Sequence, residues 1–330
     1  MLEFCQFGAG RIGAIHAGNI AGHQDAKLRY VVDVNAAAAQ ALAEKYGATV
    51  VSANEALADP AVGAVVIASS TDTHADLIET SARAGKAIFC EKPIDLSLER
   101  VDACLAVAKE AGVPLALAFN RRFDPSFASF KERLCAGEIG TVEIVSITSR
   151  DPGPPPIDYI KVSGGLFRDM MIHDFDMARW LLDEEPVEVM AMASCLVDPA
   201  IAEAGDVDSA VVTLRTASGR LCQISNSRRA SYGYDQRIEV HGSKGMLRAE
   251  NHHPTSVETS TEAGVVRDKP LYFFLERYAA AYRAELHAFI EAVAGGRAPS
   301  PGGDDGRAAL LLADAALESL REGRPVAVKL

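Results

Sequence analysis

Two short stretches of this 330-residue chain hold the side chains best suited to proton and hydride chemistry, Glu91-Lys92-Pro93 and Asp169-Met170-Met171-Ile172-His173. The apolar run Ala87-Ile88-Phe89-Cys90 reads as a strand, so Lys92 follows its carboxyl end, the edge of a parallel sheet where ligands bind. Pro93 restrains the backbone just after the lysine. The competing reading is an ordinary surface lysine. Asp169 and His173 stand at i and i+4, which on one helix face brings them within hydrogen-bonding reach. A carboxylate that holds one imidazole nitrogen leaves the other as a proton acceptor, as alcohol oxidation by hydride loss requires. Asp176 extends that face, and the alternative is a capping aspartate with a surface histidine.

A hydride acceptor must sit nearby, and Gly8-Ala9-Gly10-Arg11-Ile12-Gly13 is built to hold one. The motif follows the apolar run Leu2–Phe7 and opens a helical pattern, the context that separates a dinucleotide fingerprint from an accidental GxGxxG. Gly8 permits the tight turn, Gly10 lets backbone approach a pyrophosphate, and Gly13 lets helix pack on sheet. Arg11 and Ile12 open the helix whose free N–H groups would meet the phosphates. Asp33 ends the next strand, where a carboxylate binds ribose hydroxyls and repels a 2′-phosphate. No arginine follows in Val34-Asn35 and the alanines after them, so the cofactor read here is NAD rather than NADP. A solvated strand-end carboxylate is the other reading of Asp33.

Further polar candidates surround these. Ser69, Thr71 and His74, after the fourth strand, are placed to line the nicotinamide ribose, unless Asp72 or Thr73 simply caps the next helix. Arg122, in Asn120–Asp124 at the domain junction, is read as a substrate contact or as part of an interdomain ion pair. Tyr232 and Tyr234 offer phenols to a hydroxylated ligand, or pack a loop.

The elements that must position these residues follow an alternating pattern to about residue 120. Strands read as 2–8, 27–33, 49–51, 63–69, 87–91 and 115–120, with helices at 11–21, 36–46, 73–84 and 98–111 between them. Gly22, Gly47, Gly85 and Gly112 are expected as left-handed caps where those helices stop. Six strands with intervening helices make a doubly wound parallel sheet. After Pro125 come a helix at 127–136, a strand at 142–150, a Pro/Gly-rich loop at 151–165 and a helix at 170–182. Strands at 187–196, 209–216, 220–226 and 237–241, with a weak one near Val257, have no helices between them and predict an antiparallel sheet. One long helix carries Leu275, Tyr278, Tyr282, Leu286, Phe289 and Val293 on a single face, and a last helix spans 305–321. The chain is thus expected as an α/β protein: a dinucleotide-binding domain over 1–123 and a substrate-binding and oligomerisation domain over 124–330, α+β with a large open sheet.

Bulk properties narrow the function. The net charge of −12 argues against nucleic acid and against an anionic membrane surface as partners. Six scattered cysteines, with no CxxC and no zinc-finger spacing, suggest neither a disulfide framework nor a metal site. With no signal-like or membrane-length apolar run, the expected location is the cytoplasm.

Taken together, Gly8–Gly13 with His16, Ser69–His74, Glu91-Lys92-Pro93, Asn120–Asp124, and Gly164-Gly165 leading to Asp169, His173 and Asp174 resemble the glucose–fructose oxidoreductase/inositol dehydrogenase family, over essentially the whole chain. The resemblance implies a Rossmann domain and a C-terminal domain with a large, mainly antiparallel sheet used in forming a homotetramer. It implies catalysis by Lys92, Asp169 and His173, with Glu91 at the cofactor, and it needs no metal. Arg168–Arg179 and Ser227–Gln236 are most similar to the inositol 2-dehydrogenases of the family, implying oxidation of a cyclic polyol, myo-inositol to 2-keto-myo-inositol (scyllo-inosose). The proline-rich Asp151–Pro156 loop lies where that family builds part of its substrate pocket, with Asp151 a further contact. Other activities within the resemblance are an aldose or scyllo-inositol dehydrogenase, and a catalytically silent NAD-binding regulator.

Overall fold

The computed structural model describes residues 1–329. In chain order the elements are β1 (Leu2–Phe7), α1 (Arg11–Ala21), β2 (Ala26–Val32), α2 (Ala36–Tyr46), β3 (Thr49–Val50), α3 (Ala53–Ala58), β4 (Ala64–Ile67), α4 (His74–Arg83), β5 (Ala87–Cys90), α5 (Leu98–Ala111), β6 (Leu115–Leu117), α6 (Pro125–Cys135) and β7 (Val142–Arg150). There follow α7 (Ile157–Ser163), α8 (Ile172–Leu182), β8 (Pro186–Ser194), α9 (Pro199–Glu203), β9 (Ser209–Thr216), β10 (Leu221–Ser227), β11 (Asp235–Gly242), β12 (Gly245–Ala249), β13 (Glu258–Thr261), β14 (Gly264–Arg267), α10 (Phe274–Arg277), α11 (Ala279–Ala294), α12 (Gly303–Glu322) and β15 (Val326–Ala327). No helix among the described residues is long and apolar enough to cross a membrane.

The chain forms two compact units, Met1–Phe123 with Ala281–Leu310, and Asp124–Ala280 with Leu311–Leu330. The first is a six-stranded sheet in the order β3-β2-β1-β4-β5-β6, parallel throughout. Strand order reverses between β1 and β4, and at such a switch point the carboxyl ends of the strands open a ligand crevice. Strands β4 and β5 are buried along their whole length, as a sheet covered on both faces demands. Part of that cover comes from far along the sequence. Leu286, Phe289 and Ile290 of α11 join the core of Phe4, Val66 and Phe89. A division of the sequence at 123/124 leaves out this returning segment.

The second unit holds a seven-stranded sheet, β12-β11-β7-β10-β9-β8-β15. It is mixed, because β7 and β10 run parallel with Leu221 beside Ile144, while its other pairs are antiparallel. α8 packs on β7 and β10, burying Ile172, Phe175, Met177 and Leu181. A separate hairpin pairs β13 with β14.

Several local readings are corrected. Gly47 and Gly112 close their helices left-handed, but Gly22 ends α1 in the right-handed region at φ −86°. The loop read at 151–165 contains α7, which begins after Pro156 and stops at Gly164. The first-unit helix α3 rests on a capping box of Ser52 and Glu55, a signal present in the sequence. The single long helix beginning near 275 is two, α10 and α11. They part at Tyr278, a fully buried ring whose hydroxyl donates to Gln236 Oε1 at 3.2 Å.

Candidate active site

The glycine fingerprint separates into two kinds of position. Gly8, at φ +96°, lies so close to the turn after β4 that a Cβ there would be 2.4 Å from the Ala68 carbonyl oxygen. A Cβ on Gly13 would be 2.1 Å from the Gly8 carbonyl oxygen. Both glycines are therefore demanded by the protein's own packing. A Cβ on Gly10 would meet no protein atom within 4 Å, and its backbone (φ −73°, ψ −167°) suits any residue. The protein itself makes no demand for glycine here, and the open space beside the backbone fits a pyrophosphate lying against it. α1 starts here with no side chain bonded to its first amides and no acidic residue in its first turn, leaving N–H groups for an anion.

Asp33, just past β2, is held from both sides. One carboxylate oxygen accepts from Ala9 N–H and the other from Asn35 N–H, each at 2.6 Å. The carboxylate thus ties the glycine turn to β2 while keeping lone pairs for a ligand hydroxyl. Asn35 itself caps α2 through Ala38 N–H. Replacing Asp33 by Ser is expected to narrow the preference for NAD over NADP by removing both the ribose acceptor and the repulsion of a 2′-phosphate. Steady-state kinetics with each cofactor check this, and equal use of both by the unmodified protein would defeat the assignment.

After β4 the Ser69 and Thr73 hydroxyls bond at 2.6 Å across a short 3₁₀ turn, Thr71–Thr73. His74, assigned to the cofactor from the sequence, is instead buried, with ring nitrogens 2.8 Å from the Pro93 carbonyl and 3.1 Å from the Ser69 carbonyl. It ties the turn after β4 to the Lys92-Pro93 turn after β5, so its place is that of a bracket. Glu91, with a side chain 13% exposed, is gripped by buried His16, whose Nε2 lies 2.7 Å from Oε1. Arg122, in the 3₁₀ turn Asn120–Phe123, pairs with Asp305 at 2.9 Å; the pair lies inside the first unit and is no interdomain bridge.

In the second unit the single helix expected over Asp169 to His173 is interrupted. Asp169 lies in a π-helical turn, Leu166–Met170, and His173 is the second residue of α8. Asp169 Oδ1 accepts from the Tyr159 hydroxyl at 3.0 Å, and Oδ2 is 3.7 Å from the buried guanidinium of Arg228. Arg228 lies equally far from Asp206, whose two oxygens accept from Leu166 N–H at 3.1 Å and so anchor the turn. Asp174 is buried and accepts from Asn226 at 2.9 Å. Asp176 is buried as well. Asp151 follows β7 with its N–H on the Ser227 carbonyl. Tyr232 donates to Asp235 at 2.6 Å and accepts from Arg150 at 3.1 Å, while partial burial and that carboxylate push its phenol up. Tyr234 is largely buried, its ring edge-on to Phe273 and Tyr278.

Residues 3–119 match the model of an oxidoreductase family with an NAD-binding Rossmann fold, and residues 131–328 match that family's C-terminal alpha/beta domain. The chain belongs to the glucose–fructose oxidoreductase/inositol dehydrogenase family. Among curated members, it is 56% identical over 329 residues, 99% of each chain, to the inositol 2-dehydrogenase of Rhizobium meliloti. It is 50% identical to the myo-inositol 2-dehydrogenase of Thermotoga maritima, covering 97% of this chain and 96% of the other. The crystal structure of a scyllo-inositol dehydrogenase from Lactobacillus casei, solved with bound NAD(H) and scyllo-inositol, superimposes with a TM-score of 0.92 at 30% identity over 99% of both chains.

Within this family member, the residues missed by the sequence reading are those that hold the others. Tyr159 fell inside a proline-rich stretch read as loop, although Pro156 and Gly164 mark the two ends of a helix. Arg228 lay in the quoted Ser227–Gln236 stretch, but its carboxylate partners, Asp169 and Asp206, lie 59 and 22 residues away in a fold the sequence does not display. His16 stood in the quoted motif, but its bond to Glu91 spans 75 residues.

Proposed function

We propose that this protein is an NAD-dependent dehydrogenase that oxidises a secondary alcohol of a cyclic polyol, myo-inositol to 2-keto-myo-inositol. The observation that carries this reading is relatedness to inositol 2-dehydrogenases at 50% and 56% identity through both units, with the Lys92, Asp169 and His173 side chains all present. NAD, when bound, supplies the hydride acceptor. His173 takes the hydroxyl proton as the carbon loses hydride, and Lys92 donates a hydrogen bond to the reacting oxygen, favouring its alkoxide character. Asp169, steadied by Tyr159 and Arg228, stabilises the imidazolium that forms. Gly8, Gly10, Gly13, Asp33 and Glu91 hold the cofactor, and Ser69 and Thr71 line its nicotinamide side. Asp151 and Tyr232 contribute to the polyol site. NADH absorbance followed over a panel of inositols and aldoses tests the reading; oxidation of aldoses with no turnover of any inositol would replace it.

The same reading includes assembly and location. One face of the second sheet carries Met246, Ile144, Leu221, Val211 and Met192, exposed at 46%, 43%, 39%, 43% and 69%, among polar residues such as Thr213, Arg215 and Gln223. Register puts them on the same side: Ile144 pairs with Leu221 and Val211 with Met192. Several large exposed hydrophobics on one sheet face are in keeping with an interface, and we expect a homotetramer. Light scattering at micromolar concentration should give about four times the 35.1 kDa chain mass, and a monomer mass would contradict it. All six cysteines are free thiols, in keeping with a reducing compartment, and the reading assigns the enzyme to the cytoplasm.

A further inference from the structure

The Arg228 guanidinium is placed unusually for a buried cation. The side chain is 1% exposed, and its Nε and Nη2 are buried without a hydrogen bond. Buried guanidinium groups ordinarily sit bonded to a carboxylate, since an ion taken from water needs close compensation. Here Nη2 lies 3.7 Å from Asp169 Oδ2 and 3.7 Å from Asp206 Oδ2, near enough for attraction and too far for a hydrogen bond to either. The cation is shared evenly by two carboxylates. Each member of the trio is held from outside it. Both Asp206 oxygens accept from Leu166 N–H at 3.1 Å, at the start of the π turn that carries Asp169. Asp206 packs so closely there that a Cβ on Gly165 would be 2.6 Å from its Oδ1. Asp169 Oδ1 accepts from the Tyr159 hydroxyl of α7, and the Arg228 N–H donates to the Asp208 carbonyl at 2.8 Å. Neighbouring charges are engaged elsewhere. Arg168 pairs with Asp314 of α12 at 2.7 Å, the Asp208 carboxylate accepts from the Leu196, Val197 and Asp198 amides, and Asp174 accepts from Asn226. Two carboxylates and one guanidinium leave the trio one net negative charge.

We propose that Asp206 is a positioning residue for Asp169, holding Arg228 midway so that Asp169 keeps negative charge for the imidazolium that forms on His173. An arginine bonded to Asp169 alone would cancel the charge that the imidazolium needs, because opposite charges in contact present little field to a third. With no arginine, the two carboxylates would repel each other and Asp169 would be pushed off its place. Even sharing avoids both outcomes. Asp206 draws the guanidinium away from Asp169 while its bonds to Leu166 N–H fix the turn, and Arg228 shields each carboxylate from the other. The proposal rests on the reading of His173 as the base and of Asp169 as its electrostatic support.

The test is steady-state kinetics of the full-length protein with myo-inositol and NAD, with NAD titrations and melting temperatures recorded alongside. Asp206→Asn still offers an oxygen to Leu166 N–H and fills the space beside Gly165, so fold and NAD affinity should hold. Arg228 then closes on Asp169, and kcat should fall about tenfold with KM little changed. Arg228→Met should lower kcat as well, by leaving two carboxylates in repulsion. The double variant Asp206→Asn with Arg228→Met again carries one net negative charge, on Asp169, and should recover most of the turnover that Asp206→Asn loses. Losses that simply add, as two independent structural defects do, overturn the proposal. Should Arg228→Met not fold, Asp206→Asn decides by itself: a wild-type kcat, or a loss confined to KM, is enough to reject it. His173→Ala, measured in the same series, keeps the two readings apart. Full turnover in that variant removes the base and this proposal together, whereas a crippled His173→Ala beside an unaffected Asp206→Asn rejects the charge sharing and leaves the base standing.

Discussion

Replacing His173 by Ala is expected to cut turnover of myo-inositol by about 10²–10⁴-fold, the usual contribution of a positioned general base. That is about 3–5 kcal/mol of lost transition-state stabilisation. NAD affinity should hardly change, because His173 belongs to the second unit and the glycine fingerprint to the first. His173 is only partly buried at the start of α8, so the shortened side chain leaves the core of Ile172, Phe175 and Met177 intact. The pH limb of kcat/KM that reports a base should vanish with it. Lys92→Ala should also cripple turnover, but it should weaken NAD binding too, since Lys92 directly follows Glu91 at the end of β5. Stopped-flow turnover and calorimetric NAD titration separate the two. Wild-type turnover in His173→Ala would remove the base and return Asp169 and His173 to a structural role.

Gly10→Ala and Gly13→Ala, three residues apart, are expected to fail in opposite ways. At Gly13 the added methyl meets a backbone carbonyl oxygen at 2.1 Å, and backbone cannot step aside as a flexible side chain can. Overpacking of this kind costs about 1–3 kcal/mol or more, and each kcal/mol lowers the melting temperature by about 2–4 °C in a protein of this size class. At Gly10 the methyl meets no protein atom and the backbone is already extended, so the melting temperature without cofactor should hold. NAD binding should instead weaken by at least about tenfold, the methyl standing where the backbone must approach the pyrophosphate. Thermal melts without cofactor, paired with NAD titrations, read the two effects separately. A Gly10→Ala protein with wild-type NAD affinity would mean that the phosphates lie elsewhere.

Much of the first unit was legible in the residues themselves. Local patterns carry parallel βαβ architecture well: buried strands appear as unbroken apolar runs, and Gly8–Gly13 with Asp33 mark the turn and the strand end of an NAD-binding Rossmann fold. Asp33 shows the limit of such reading. Its position after β2 was evident, but not that it accepts from Ala9 N–H and so braces the glycine turn.

By itself the sequence determined the six strands of the first sheet and most of the helices between them, the chemistry available at Lys92, Asp169 and His173, and the family. Only the tertiary structure decided what holds those groups. It placed α11 on the first sheet, set β7 and β10 parallel, broke the helix between Asp169 and His173 with a π turn, and surrounded Asp169 with Tyr159 and Arg228. It also set His74 between two carbonyls as a bracket and sank Tyr234 among aromatic rings. The reason is one of range. Hydrophobic period, capping and turn chemistry act over a few residues and leave a trace in the local pattern. Strand pairing and the partners of buried charges are chosen by packing between segments tens to hundreds of residues apart, where every apolar face and every carboxylate has many candidate partners and only the folded chain selects among them.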